Sequence, residues 1–494
     1  MQRITKILAL ILCILFIGIA FMACNNPDES EKKDNTDENP DGGSLMTEIR
    51  DDVPELDFGG YEFKVLFCTY GARSGVYFYP EEEESEILND TIYARNRKIE
   101  DRFKIKFAAT QFDDSNGLDS LNLLKKNVMA GDDFYDLHML VDRNAQSAAA
   151  GNLLYPIGEV PHIDLTKPYW LADINSQLTI QNKLYWAFSD EILSLLEATT
   201  VLYFNKKTVS NLGIEDLYNL VDKGEWTYDK FFEFAKAGIN NVTGGNKMTE
   251  DDYWGIVSEW DNFYPNFWVS AGIYSVDKDE DDIPYFSLPG NEKFLTIAEK
   301  VLDRLERDGM YMEAYELQLP SGLAGTAGRL EYFKGGHALF SVGLIQEMIE
   351  LRDMPDDFGV IPFPKYDAEQ PRYYARVVAG RPLVIPSVNR RPDIAGAVME
   401  AMACETHNTV FPAYYETALK KKFSRDPETV RMLDLIRANQ TYDLGDTIWC
   451  DPIRVPLTSI FVSGQNTFSS WLEMHEKRLN AVIDKMTEEI LNLD

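Results

Sequence analysis

"YDLHMLVDRNAQSAAAGNLLYPIGE" (Tyr135–Glu159) is the stretch on which the reading of this chain turns. "YDLHMLV" (Tyr135–Val141) reads as a buried strand, and an acid and a base, Asp142 and Arg143, follow it at once. Working upstream, "GGYEFKVLF" (Gly59–Phe67) sets Tyr61, Phe63, Val65 and Phe67 against Glu62, Lys64 and Leu66, the alternation of a first strand. "NDTIYARNRKIEDRF" (Asn89–Phe103) has near-helical spacing, "KIKFAAT" is strand-like, and "LDSLNLLKKNVMAG" is a helix stopped by Gly131. Downstream, "EATTVLYFNKK" (Glu197–Lys207), "HALFSVG" and "DFGVIPFP" read as strands, while "YDKFFEFAKAGI", "LIQEMIELRDM" and "RRPDIAGAVMEAMAC" read as helices. Strands alternating with helices define an α/β class with a mainly parallel sheet. The Gly-rich "SGLAGTAG" (Ser321–Gly328) lacks the context of a dinucleotide loop and is expected to be flexible backbone.

The N-terminus answers a different question. Arg3 and Lys6 precede an uncharged run from Ile7 to Ala23, just short of the ~18–20 residues that cross a bilayer. A basic start, an apolar middle and small Ala20 and Ala23 describe a secretion signal over residues 1–23. Cys24 follows directly, an arrangement that resembles the bacterial lipoprotein signal, although Phe21 and Met22 depart from its pattern. Acylation of Cys24 is therefore expected, with a plain signal or a retained anchor helix as alternatives. Residues 24–56 are rich in Asp, Glu, Asn, Pro and Gly, and are expected to form a disordered acidic tether.

The formal net charge is −33, which disfavours nucleic acid and anionic lipid surfaces as partners. The runs Glu81–Glu86 and Asp277–Asp282 are expected to be solvated loops, and the second lacks the glycine and glutamate of a calcium-binding EF-hand. Of five cysteines, Cys68, Cys404 and Cys450 fall in the folded part, too few and too scattered for a disulfide framework or a metal site. The 45% hydrophobic content and the length suggest a large core in two lobes. There is no Walker loop, no H-E-x-x-H, no C-x-x-C and no G-x-S-x-G, so no cofactor or metal is expected. With 81 acidic residues, sequence alone cannot single out a catalytic carboxylate pair.

Five blocks in order resemble the extracellular solute-binding proteins of ABC importers, the family that includes maltose-binding protein. Tyr135–Glu159 looks like that family's strand, cleft loop and helix. "KLYWAFSDEILSLLEATTVLYFNKKTVSNLGI" looks like its first crossover, and "GEWTYDKFFEFAK" like the start of its next helix. "FKGGHALFSVGLI" and "FGVIPFPKYDAEQPRYYARVVAGRPLVIPS" look like a later strand and the crossover back. The resemblance implies a two-lobe α/β clamshell, each lobe a sheet flanked by helices, joined by crossover strands near Asp190–Leu196 and Tyr373–Val378. Lobe 1 would comprise residues 57–195 plus 377–426, and lobe 2 residues 196–376 plus 427–494. It also implies a non-enzymatic protein, a monomer lipid-anchored on the extracytoplasmic face of a bacterial membrane, that passes a small solute to permease subunits. An oligosaccharide is the expected solute class; a cell-surface glycosidase using cleft carboxylates is the alternative.

Saccharide recognition combines flat apolar faces with planar polar groups. Asp142 and Arg143 match the family's sugar-contacting Asp-Arg pair. Tyr70 and Arg73 follow the first strand on the same rim. Asp190 and Glu197 belong to the first crossover, Tyr374 and Arg376 to the return. Trp260 and Trp268 lie in the aromatic run Tyr253–Gly272, and Trp449 is a further aromatic candidate. One departure is plain: Ile345 stands where the maltose-type pattern carries a stacking tryptophan.

Overall fold

The computed structural model describes residues 48–68, 78–112, 118–191, 193–306, 308–414 and 426–493. The expected signal segment, Cys24, most of the expected tether, Tyr70 and Arg73 lie outside the described residues. Residues 48–56 correct the extent of the tether, because they are fastened to the folded body. Asp51 accepts two hydrogen bonds from Arg102, both 2.7 Å, and the Asn408 side chain bonds both backbone groups of Ile49. Val53 is buried.

The chain begins with β1 (Tyr61–Cys68), α1 (Ile87–Phe103), β2 (Ile105–Phe112), α2 (Asp119–Ala130), β3 (Leu137–Met139) and α3 (Asp142–Ala150). Local chemistry sets these boundaries. Glu86 caps α1 by accepting from the amides of Leu88 and Asn89, and Lys104 ends it in the left-handed region at φ 52°. Gly131, at φ 66°, ends α2 as its sequence predicts. β1 lies between β2 and β3, parallel to both, and the sheet order is β12-β3-β1-β2, with β12 (Leu383–Val384) arriving later and running antiparallel. Leu66, expected on the outward face, is buried, since this sheet is covered on both sides where β1 ends.

The second sheet has the order β10-β4-β9-β5-β8. Its strands are β4 (Thr200–Asn205), β5 (Trp254–Ser258), β8 (Tyr311–Glu313), β9 (Ala338–Leu344) and β10 (Phe358–Ile361). β5 is parallel to β8 and β9, while β4 is antiparallel to β9 and β10. Helices α4 (Tyr228–Ala237), α5 (Glu292–Arg304) and α6 (Gly325–Lys334) and a hairpin of β6 (Val276–Lys278) and β7 (Pro284–Phe286) complete this part. An aromatic core joins α4 to the sheet, with the rings of Phe231 and Phe340 5.4 Å apart and those of Phe267 and Phe363 5.0 Å apart.

Two local expectations change. "LIQEMIELRDM" is a single 3-10 turn and one helical turn, because the Ile345 amide bonds the Thr199 carbonyl and Glu347 turns inward. "SGLAGTAG" is flexible backbone only in part, since its second half begins α6. Gly325, at φ 58°, passes beneath the Tyr315 ring, where a Cβ would come within 3.1 Å.

The crossovers meet side by side. Thr199 bridges Val377 antiparallel, and the Val378 amide donates to the Ala198 carbonyl at 3.0 Å. β11 (Ala375–Arg376) pairs in parallel with β13 (Gln440–Thr441), adding a third strand. The chain then closes with α7 (Pro392–Glu405) and α8 (Pro427–Ala438) before β13, and α9 (Phe468–Leu491) after it. No described helix is long and apolar enough to cross a membrane.

Candidate functional site between the two sheets

In parallel α/β sheets, ligands sit beyond the C-terminal ends of the strands, where loops leave the sheet. Three parallel strands of the first sheet end at Cys68, Phe112 and Met139. Asp142 and Arg143 come just after the last of these. In the second sheet the matching ends are Ser258, Glu313 and Leu344, which place Glu259, Trp260, Asp261 and Tyr315 on its edge. The segment Tyr442–Arg454 brings the two edges together. The Arg454 charge is opposed by burial but sustained above its ordinary value by Asp446, Cys450, Asp261 and Asp451. The Cys450 thiol is pushed up mainly by burial, with Arg143 among its charged neighbours. Arg143, Asp451, Arg454 and Asp261 are thus drawn from both sheets and the C-terminal segment into one neighbourhood.

The two members of the Asp-Arg pair have different roles. Asp142 is buried; its carboxylate accepts from the Arg143 amide (2.8 Å), the Gly380 amide (2.9 Å) and the Tyr442 hydroxyl (2.9 Å). It ties β3's exit to the return crossover and to the C-terminal segment, and burial raises its pKa. Arg143 is half-exposed beside it. Asp190 is buried against His407 Nδ1, with Arg437 3.8 Å away. Glu197 ends a helical turn, not a strand, and accepts from the Tyr414 hydroxyl at 2.9 Å.

Trp260 and Trp268 also part company. Trp260 is half-buried at the strand end, its ring 6.4 Å from that of Tyr315, which is 51% exposed. Trp268, read as a candidate ligand contact, is instead a fully enclosed core residue whose Nε1 donates to Asp443 at 3.2 Å. Its turn faces the core because α4 and α5 cover it. Asp443 is pushed up to about 6 by burial and by Asp446. Tyr374 is half-buried over Gly272 with Arg372 stacked on its ring at 4.6 Å.

Arg376 is buried and anchors the crossover. Its Nε and Nη2 donate to Asp446 at 2.6 and 2.9 Å, and Arg454 Nη1 lies 3.8 Å from the same carboxylate. Arg376 Nη1, Arg454 Nε and Trp449 Nε1 have no hydrogen-bond partner among the described residues. On the second sheet, Arg329 is fully buried between Glu259 (2.8 Å), Glu347 (2.7 Å) and the Ser341 hydroxyl (2.9 Å). Glu313 nearby is pushed up to about 7, chiefly by burial. Ile345 is wholly buried and presents no face to the site.

Asp261, Tyr315, Asp446, Asp451 and Arg454 were not picked out from sequence. Asp261 could have been found three positions after the end of β5, and Tyr315 as the first aromatic after β8. The others lie in a segment with no periodicity. Among the described residues, no group of three His, Cys, Asp or Glu is placed to hold a metal.

No family model matches the chain, and no curated protein matches it in sequence. Solved structures do match in fold. A cyclo/maltodextrin-binding protein complexed with maltotetraose has a TM-score of 0.55 at 17% identity, covering 88% of this chain and 98% of that one. A sugar transporter from Rhizobium etli in an open conformation has a TM-score of 0.56 at 15% identity, covering 87% and 100%. An extracellular solute-binding protein from Staphylococcus aureus in complex with maltose has a TM-score of 0.55 at 15% identity, covering 87% and 96%. The chain therefore has the two-lobe fold of the extracellular solute-binding proteins. Its paired crossovers and the polar edge on each sheet are built from its own residues at the places that fold provides.

Proposed function

We propose that this chain is the substrate-binding lipoprotein of an ABC importer, which captures an oligosaccharide between its lobes and delivers it to membrane permease subunits. The observation that carries the reading is the composition of the site. Arg143 and Arg454 supply donors and Asp261 and Asp451 acceptors in one neighbourhood, with the half-buried Trp260 ring and the exposed Tyr315 ring beside Asp261. A neutral polyol needs that mixture: hydroxyls both donate and accept, and ring C–H surfaces lie on aromatic faces. The Trp260–Tyr315 pair would supply the platform that Ile345 does not. Structures of similar fold are described with maltotetraose, maltose and alpha-D-tagatose, which supports the same class. A ligand touching both lobes favours the closed arrangement by its differential affinity alone.

A thermal-shift series tests this. Malto-, cello-, xylo- and manno-oligosaccharides are compared with amino acids, peptides and polyamines. At least one saccharide is expected to raise the melting temperature progressively, with stabilisation of about 2.7 kcal/mol at a hundred times its Kd. A shift by a peptide and by no sugar would remove the saccharide reading, and turnover of any sugar would favour the glycosidase instead.

The anchoring part is tested separately. The domain acts as a monomer on the extracytoplasmic face, held by lipid on Cys24. Cys24→Ala is expected to leave the precursor uncleaved or to release the protein from membranes. Unchanged processing and membrane retention on fractionation would sink it.

A further inference from the structure

A groove of about 780 Å³ opens beside the second sheet and shares no lining residue with the site between the sheets. It is lined by the end of the helical turn Leu217–Asp222 with Lys223 and Gly224, by the loop 365–373 beyond β10, and by α8. Its volume falls within the ~300–1,000 Å³ of small-molecule sites. Its charge runs against that of the chain. Acidic residues outnumber basic ones 81 to 48 overall, yet this groove sets Lys223, Lys365, Arg372 and Arg431 against Asp222 and Glu369. Asp222 is paired with Arg431 at 2.6 Å, both about half exposed. Such a surface ion pair contributes little in water and leaves the guanidinium able to turn.

Lys365, at the base, is 5% exposed. Its backbone is pinned: the amide donates to the Trp226 carbonyl at 3.1 Å and the carbonyl accepts from the Tyr228 amide at 2.9 Å. Nζ donates to the carbonyls of Ala368 (3.3 Å) and Gln370 (3.0 Å), and lies 5.6 Å from the centre of the Tyr373 ring. An ammonium carries three protons, and the third has no acceptor among the described residues. Burial depresses the Lys365 pKa, with the charge of Asp367 acting the other way. Gly224, at φ 71°, borders Nζ; a Cβ there would come within 3.1 Å of it, so a side chain would cover the ammonium. The loop is held in shape by its own bonds. Gln370 Nε2 donates to the carbonyls of Ser270 (2.8 Å) and Arg372 (2.7 Å), and the Tyr373 hydroxyl donates to the Val221 carbonyl (3.2 Å).

We propose that this groove is a second binding site, for a small organic oxyanion, with Lys365 receiving the charged oxygens at its base and Lys223, Arg372 and Arg431 contributing from its rim. A buried ammonium is stable where opposite charge and acceptors meet it, and here the chain supplies two carbonyls. An oxyanion brings both the further acceptor and the opposite charge. Guanidinium forks match carboxylate and phosphate geometry alike, so the shared chemistry is a carboxylate or a phosphate monoester. Val221, Pro371, Met432 and Leu435 offer apolar surface to the body that carries it. A neutral sugar would leave the ammonium without a counter-charge, so the groove selects against the solute expected between the lobes.

This site stands independently of the saccharide reading. Inorganic phosphate, glucose 6-phosphate, citrate and glucuronate are titrated by calorimetry into the wild-type protein, Lys365→Met and the double variant Arg372→Gln/Arg431→Gln. Ionic strength is held constant with chloride, and glucose is the neutral control. At least one oxyanion is expected to bind saturably, and about tenfold more weakly to Lys365→Met, the scale of one lost charged hydrogen bond. The double variant is expected to lose about threefold, as exposed charges do. Binding by the phosphates alone assigns the phosphate class; binding by citrate and glucuronate alone assigns the carboxylate class. Should Lys365→Met fail to fold, the double variant decides, because both of its side chains are exposed. No oxyanion binding by the wild-type protein, or equal affinity in the folded variants, overturns the site. Glucose binding that weakens in parallel would overturn its selection for charge.

Discussion

Arg329→Met is expected to cost about 3–5 kcal/mol of folding stability, the range found when one partner of a buried ion pair is removed. The guanidinium has no solvent exposure and serves Glu259, Glu347 and Ser341 together. Methionine fills similar volume, so the loss is electrostatic and not a cavity. Two carboxylates then face each other without a cation, Glu259 fully enclosed and Glu347 nearly so. Burial already raises the Glu347 pKa despite Arg329, and removing that charge pushes it further. The sign of the pH dependence follows. A carboxyl with a folded pKa above its unfolded value binds more protons in the native state, so stability falls as pH rises between the two values. The defect should therefore be largest above neutral pH and shrink toward pH values near the ordinary carboxylate range. Calorimetric melts of both proteins across that range check it; a pH-independent difference would show that packing, not charge, holds the site.

Asp446→Ala is expected to damage stability and binding together. Asp446 is fully buried and is the only side-chain acceptor for Arg376 among the described hydrogen bonds. Removing it leaves an unpaired buried guanidinium beside the third crossover strand, again a loss of about 3–5 kcal/mol. Arg454, which has Asp261 and Asp451 among its charged neighbours, loses its ion pair as well. Saccharide affinity is expected to fall more than tenfold, or about 1.4 kcal/mol. The double variant Arg376→Met/Asp446→Leu separates the effects. Replacing both members of a buried pair with apolar groups is often neutral for stability, so the double variant should regain most of its melting temperature. It should not regain affinity. Full recovery of binding would mean that the pair is scaffolding with no part in the site, and a wild-type melt for Asp446→Ala would refute the argument at its root.

Much of the architecture was legible in the sequence because regular elements leave periodic marks. β1, α1, α2, β4, α4, β9, β10 and α7 each lie where alternation, helical spacing or a stop residue places them. The position of Arg143 was legible for a related reason: a polar pair directly after a strand falls beyond the C-terminal edge of an α/β sheet. The aromatic run was not resolvable in the same way. Trp260 and Trp268 are eight positions apart in similar surroundings, yet one is half-buried at a strand end and the other is sealed in the core. Burial at that scale depends on which helix happens to cover which turn. Arg376 and Asp446 are 70 residues apart, and no local pattern announces such a pair. The Asp277–Asp282 run is solvated at Asp277, Asp279, Glu280 and Asp281 as expected, while Lys278 and Asp282 are half-buried against residues 176–182, which no local pattern announces.

By itself, the sequence determined the α/β class, the order of elements and the strand ends from which a site could be built. Those follow from hydrophobic period, capping and turn chemistry, all of which act over a few residues. Tertiary structure alone decided which polar groups are spent internally and which stay available. Asp142, Asp190 and Arg376 are committed to partners tens to hundreds of positions away, while Arg143 beside them is left half-open. A charge carries no label for its partner along the chain; only the packing of distant segments in a low-dielectric interior settles which pairs must form.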